Sequence, residues 1–246
     1  MTDFSKLARK ITWVLFANQS LASAGFIAAA TINSILGAQL GGNDYWTGVP
    51  SAVYLVGGAF AASLWGIIMD RIGRRNAMVW GLLIGVAGNA LVLFAIGASS
   101  LILFLIGMLL MGITNAVVVL GRFAAAEVNP PKKRGEAISQ VVWGGTFGAV
   151  VGPLMVGPMG SFVKTFGMNE LAGAYLATLI MFGMASIVVA IGLRPDPREL
   201  GKEIAALYPQ QSSHEKTRTL REIMRQPAAL TALTAMVVGQ VVMVGL

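Results

Sequence analysis

The sequence predicts an all-α membrane protein that crosses the bilayer several times. Four observations predict it. Apolar residues fill 56% of the 246 positions and charged residues only 12%, with a mean hydropathy of +0.73, whereas soluble domains carry about 25% charged residues. Apolar segments recur near 11–36, 47–69, 77–97, 101–126, 138–159, 171–193 and 228–246, each about the 20 residues that cross a hydrocarbon core of about 30 Å. Their glycine and alanine content, without strand-type alternation, selects helices over a β-barrel. Finally, the basic residues fall in alternate loops.

The first segment follows Lys6, Arg9 and Lys10, and Ala22-Ser23-Ala24 has the look of a signal-peptide cleavage site. Apolar sequence continues through Leu36, and Asn18, Gln19 and Ser20 interrupt the would-be core, so the segment is read as an uncleaved helix. Gly41-Gly42-Asn43-Asp44 turns the chain into the second segment, and Gly97-Ala98-Ser99-Ser100 joins the third to the fourth. Asn129-Pro130-Pro131 must stop the fourth. The stretch 194–226 mixes both charge signs with Pro195, Pro197 and Pro209. Leu200, Ile204 and Leu207 recur at helical spacing, as do Leu220, Ile223 and Met224. Two short amphipathic helices on the membrane surface are expected there, with a disordered basic linker as the alternative.

The net charge of +7 orients the chain rather than binding nucleic acid. Arg71, Arg74 and Arg75 follow the second segment, and Lys132, Lys133 and Arg134 the fourth. Arg194, Arg198, Lys202, Lys216, Arg218, Arg221 and Arg225 follow the sixth, while the alternate loops hold only Lys164. By the positive-inside rule the N-terminus is cytoplasmic, and the protein is expected to be multi-pass in the cell (cytoplasmic or inner) membrane. With no cysteine there is neither a disulfide nor a thiolate metal site. His214 is the sole histidine. No catalytic constellation, phosphate loop or metal cluster is found, so no enzyme activity and no cofactor are expected.

The most informative stretch runs from Gly66 to Arg75, Gly-Ile-Ile-Met-Asp-Arg-Ile-Gly-Arg-Arg. Its glycines allow a tight reversal and close helix approach. A carboxylate beside arginines at a helix end makes charge-assisted bonds and opposes a facing helix N-terminus, a contact worth about 0.3–2 kcal/mol. The stretch resembles, position for position, the cytoplasmic signature G-x-x-x-D-R-x-G-R-R between helices 2 and 3 of the major facilitator superfamily of secondary transporters. That resemblance implies a six-helix half-bundle of two inverted three-helix repeats over residues 1–193. A cytoplasmic linker would follow at 194–226. A seventh helix at 227–246 would begin a C-terminal bundle that is missing here, so the chain reads as a fragment or a truncated product. It also implies a conformational gate of Asp70, Arg71, Arg74 and Arg75, given its geometry by Gly66 and Gly73. Glu127 and Arg134 would join that charge network, Glu127 reaching Arg71 or Arg74, or would form a plain surface pair.

On the fifth segment Gly144, Gly148 and Gly152 are spaced to make a flat helix face. Pro153, Gly157 and Pro158 follow; the prolines should bend or interrupt the helix, and Pro153 and Gly157 are counted with the three glycines as helix-packing candidates. The run is similar to the helix 5 motif G-x-x-x-G-P-x-x-G-G of proton-driven antiporters in the superfamily, but its tail is one residue too long and lacks the second glycine. A generic packing face is the other reading. The family's usual helix 4 arginine is replaced by Met108, so its coupling role does not carry over.

Polar residues within the segments are the substrate-cavity candidates: Asn18 and Gln19 in the first, Asn115 and Arg122 in the fourth, Gln140 and Trp143 in the fifth. Helices 1 and 4 line the central cavity in the family the chain resembles. An intramembrane ion such as Arg122 is costly, roughly 2.5–3.5 kcal/mol at mid-helix, and usually faces a cavity, although its long side chain can also snorkel to the interface. Interhelical hydrogen bonds and packing are the bland readings for the rest. Every Asp and Glu lies at a segment end or in a loop, so a coupling acid would belong to the missing half unless Asp70 and Glu127 serve.

The expected function is alternating-access export of a small organic solute, coupled to protons as the antiporter-like motif implies. One rival is uptake of an anionic metabolite with Arg122 as ligand. Another is a non-transporting truncated protein or assembly partner. The expected partners are a small-molecule substrate, protons, the lipid bilayer and the missing C-terminal half.

Overall fold

The computed structural model describes residues 2–207 and 226–245. Within them lie α1 (Thr2–Gly41), α2 (Val49–Ile72), α3 (Arg74–Gly97), α4 (Leu101–Glu127), α5 (Arg134–Lys164), α6 (Ala172–Gly192), α7 (Pro197–Leu207) and α8 (Pro227–Gly245), with no strand among the described residues. Short 3-10 turns at Asp44–Trp46 and Pro131–Lys133 sit before α2 and α5. Helices α1 to α6 are long and apolar enough to cross a membrane, and the protein is a multi-pass membrane protein.

Residues 1–204 form one compact unit. In it α1 packs on α5 and α6, α4 packs on α2 and α3, and α3 meets α6. Exchanging α1 with α4, α2 with α5 and α3 with α6 maps this pattern onto itself. Because consecutive helices alternate in direction, the exchanged helices run oppositely, which makes the unit a pair of inverted three-helix repeats.

Close approach explains which helices pair. A Cβ on Gly144 would lie 2.6 Å from the Phe16 carbonyl oxygen, and one on Gly152 2.5 Å from that of Ala24. One on Gly148 would run into the carbonyl of Ser20. The three glycines therefore seat α5 directly on the backbone of α1. The equivalent α2–α4 contact uses Gly57, whose Cβ would stand 2.6 Å from the Leu109 carbonyl oxygen, and Gly112, whose Cβ would strike that of Tyr54. Without a strong hydrophobic drive between helices in lipid, such approach supplies the packing.

Three expectations need correction here. Gly157 does not extend the packing face among the described residues, where a Cβ there meets nothing within 4 Å. Thirteen residues beyond Gly144, it points about 220° away around a helix of 3.6 residues per turn. Gly66 likewise abuts nothing within 4 Å, so no close approach within the described helices requires it. Pro153 and Pro158 lie inside α5, which continues through them to Lys164 rather than being interrupted.

The first expected surface helix is α7. Leu200 and Ile204 are buried in the same core as α1, α3, α4 and α6, so this compact unit extends past residue 193, to Ile204. The side chain of Leu207 and the second expected amphipathic helix around Leu220, Ile223 and Met224 lie outside the described residues. The described residues beyond Ile204 belong to a second unit, in which α8 starts with Pro227 where a missing N–H costs nothing. The Thr231 and Thr234 hydroxyls donate to the carbonyls of Pro227 and Leu230, at 2.9 and 3.0 Å.

Candidate functional site

The charged end of the bundle is organised by one side chain. Arg74, the first residue of α3, donates from Nε and Nη2 to the two carboxylate oxygens of Glu127 at the end of α4, at 3.1 and 2.7 Å. Its Nη1 lies 3.0 Å from Oδ1 of Asp70, one turn back. The fork geometry of arginine makes this bidentate grip directional. Arg74 is 17% exposed and Glu127 34%, whereas Asp70 is 69% exposed. Glu127 thus chooses Arg74 over Arg71, and Asp70 is left facing outward with free acceptor capacity. Arg71 and Arg134 make no ion pair among the described residues.

Gly73, the single residue between α2 and α3, has φ +89°, a conformation that L side chains rarely adopt. A Cβ there would sit 2.5 Å from Oδ2 of Asp196. Asp196 is a site residue that sequence reasoning missed. Its carboxylate accepts the backbone N–H groups of Arg74 at 3.1 Å and Arg75 at 3.0 Å, capping α3. It also accepts the N–H of Arg198 at 2.9 Å, capping α7. The signal for the second role was present, since Asp196, Pro197 and Glu199 read as a helix start. The first role joins residues more than a hundred positions apart and has no local signature. Arg75 completes the junction by donating from Nε and Nη2 to the Ala190 carbonyl near the end of α6, at 3.0 and 2.8 Å. A cation there complements the helix C-terminus.

The second feature is a cavity of about 390 Å³ lined by Gln19 of α1, Val119 and Arg122 of α4, and Val142, Gly145, Thr146 and Ala149 of α5. Gln19 donates from Nε2 to the Ser23 hydroxyl at 3.1 Å. Arg122 stacks over the Phe123 ring at 5.2 Å and has no carboxylate partner among the described residues. The structure therefore brings Gln19 and Arg122 together. Asn18 does not join them: it is 1% exposed and turns into the helix packing. Its Oδ1 has no hydrogen-bond partner among the described residues. Asn115 is half-buried, one turn before Val119, and does not line the cavity. Gln140 and Trp143 lie outside the lining, and Trp143 is exposed.

A buried polar contact elsewhere also went unforeseen. Tyr175 of α6 donates its hydroxyl to Oδ1 of Asn33 at 2.5 Å, and Sδ of Met108 lies 3.9 Å away. Where the resemblance calls for an arginine, Met108 is buried against this tyrosine.

The family model described as Major Facilitator Superfamily matches residues 14–246. The chain belongs to that superfamily. It is 30% identical over 240 residues to the uncharacterized MFS-type transporter YdeG of Bacillus subtilis (strain 168), covering 98% of this chain and 56% of that protein. It is 33% identical over 201 residues to YddS, an uncharacterized MFS-type transporter of the same organism, covering 82% and 46%. The chain thus spans about half the length of these curated relatives. Among solved structures, that of the human organic anion transporter MFSD10 (TETRAN) matches with a TM-score of 0.60 at 20% identity, covering 77% of this chain and 48% of that one. At that identity the likeness shows the superfamily fold alone.

Proposed function

We propose that the chain is the N-terminal half, with the first helix of the second half, of a secondary transporter working by alternating access, not an enzyme. The observation that carries this reading is the Asp70–Arg74–Glu127 cluster, which ties the ends of α2, α3 and α4 at one membrane face and leaves Asp70 exposed. Asp70 is in position to grip a helix N-terminus of the second half when that face is closed, and releasing it would open the face. Residues 194–226 serve as the linker and 227–246 as the seventh span. The face carrying the cluster is cytoplasmic, as is the N-terminus, in a cell membrane. Proton-coupled efflux of a small organic solute is favoured by the glycine face and proline of α5. The test is Asp70→Asn in the complete protein, reconstituted in proteoliposomes under a pH gradient. Insertion is retained and flux is lost; near-normal flux in a well-inserted variant would refute the gate.

The Arg122 cavity favours a second reading, uptake of an anionic solute held by Arg122 and Gln19. Arg122→Ala then abolishes uptake of the anion, while efflux of a neutral amphiphile is unaffected. The native product's apparent mass comes first: a band at 25.8 kDa would favour a non-transporting partner protein.

A further inference from the structure

A second cavity, of about 510 Å³, opens at the Arg74 end of the bundle between the α2–α3 link and the α6–α7 elbow. That volume lies in the range of roughly 300–1,000 Å³ typical of small-molecule sites. Arg71, Arg75, Arg194, Arg198 and Lys202 line it, against two carboxylates, Asp196 and Glu199. Five cations and two acids leave a formal charge of +3.

Most of this positive charge is uncommitted. The Asp196 carboxylate is occupied by three backbone N–H groups, and the Arg75 guanidinium is turned to the Ala190 carbonyl. Arg71, Arg194, Arg198 and Lys202 make no ion pair among the described residues. Cations gathered around one opening repel each other unless an anion joins them. A tetrahedral oxyanion suits guanidinium forks better than a lone carboxylate, because it offers several acceptor oxygens at once.

The surroundings identify how that anion is presented. Ile72 lines the cavity and is 45% exposed, while Ile191, on the last turn of α6, is 71% exposed. Both sit where α2 and α6 leave their apolar spans, at the level of lipid headgroups. A cationic cup with the exposed Ile72 in its lining matches an amphiphile whose phosphate is charged and whose tail is apolar.

We propose that this cavity binds the phosphate headgroup of an anionic membrane phospholipid. Free phosphate shares the chemistry but gains nothing from the apolar Ile72. The proposal rests on membrane insertion and not on the transport reading, so it is tested without any flux assay.

The experiment is thermal unfolding of the detergent-purified chain, titrated separately with short-chain phosphatidylglycerol, short-chain phosphatidylcholine and inorganic phosphate. Phosphatidylglycerol raises the midpoint saturably, as a ligand of the folded state must, and the other two do not. With Arg194→Gln, Arg198→Gln and Lys202→Gln combined, the half-saturating concentration rises on the order of 100-fold, from a loss of about one order-of-magnitude step for each one or two charges. The unliganded midpoint does not fall, because these side chains make no ion pair among the described residues and their mutual repulsion is relieved. Should that variant not fold, two readouts remain. Raising salt from about 0.05 to about 0.5 M weakens the wild-type response, and Arg194→Lys with Arg198→Lys, which keeps the charge but removes the forks, weakens it only in part. An equal response to phosphatidylcholine, a response unchanged in the triple variant or by salt, or stabilisation by inorganic phosphate alone would each overturn the lipid site.

Discussion

The α2–α3 and α5–α6 links occupy equivalent places in the two inverted repeats, at opposite ends of the bundle, yet they are built oppositely. The first is one residue, Gly73, locked between Asp196 and an arginine that grips two carboxylates. The second runs from 165 to 171 and carries an ion pair between Lys164 and Glu170, whose side chains are 59% and 52% exposed. Each link contains a glycine at positive φ, +89° at Gly73 and +72° at Gly167. A Cβ at Gly73 would collide with Asp196, whereas one at Gly167 meets nothing within 4 Å. The comparison teaches that repeat symmetry fixes the helix pairing but not the chemistry of the turns. One end has been made rigid and charged, the other left as a spacer.

Arg74→Ala should have the largest effect on this contrast. It strands the half-buried Glu127 carboxylate and removes three charge-assisted contacts, costing about 3 kcal/mol in unfolding of the detergent-solubilised protein by titrated dodecyl sulfate. A double-mutant cycle with Glu127→Gln should return a coupling of about 1.5 kcal/mol or more; a coupling near zero would reduce the cluster to a surface feature. Gly73→Ala should cost about 2–3 kcal/mol, combining left-handed strain with the Asp196 clash, while Gly167→Ala should cost only about 1 kcal/mol from strain alone. Equal costs would show that Asp196 yields freely. Asp196→Ala, removing the shared cap of α3 and α7, should cost about 1–2 kcal/mol, with proteolysis within α7 as an independent readout. Lys164→Ala should change stability by no more than about 0.5 kcal/mol. A larger loss would mean that the second link is not a spacer.

The Gly66–Arg75 stretch illustrates how far the chain could be read directly. Asp70 and Arg74 are one helical turn apart, so their contact follows from spacing, and Glu127 stood out as an acid ending an apolar helix. That Glu127 takes Arg74 rather than Arg71 depends on how the start of α3 turns toward α4. Gly66 looked like a packing glycine and meets no neighbour among the described residues, because spacing alone does not say which face of α2 meets one. Asn18 and Gln19 are adjacent in sequence, but 100° of helix rotation sends one into the packing and the other to the Arg122 cavity.

The sequence by itself determined the helices, their apolar spans, the basic end of the bundle and the glycine stripe of α5, because these follow from composition and from periods of a few residues. Only the tertiary structure decided the partners: α5 on α1, Arg74 with Glu127, Arg75 with Ala190, and Asp196 as the cap of two helices. Those contacts join residues 50 to more than 120 positions apart. Their strength depends on distance and orientation in space, which no local pattern encodes.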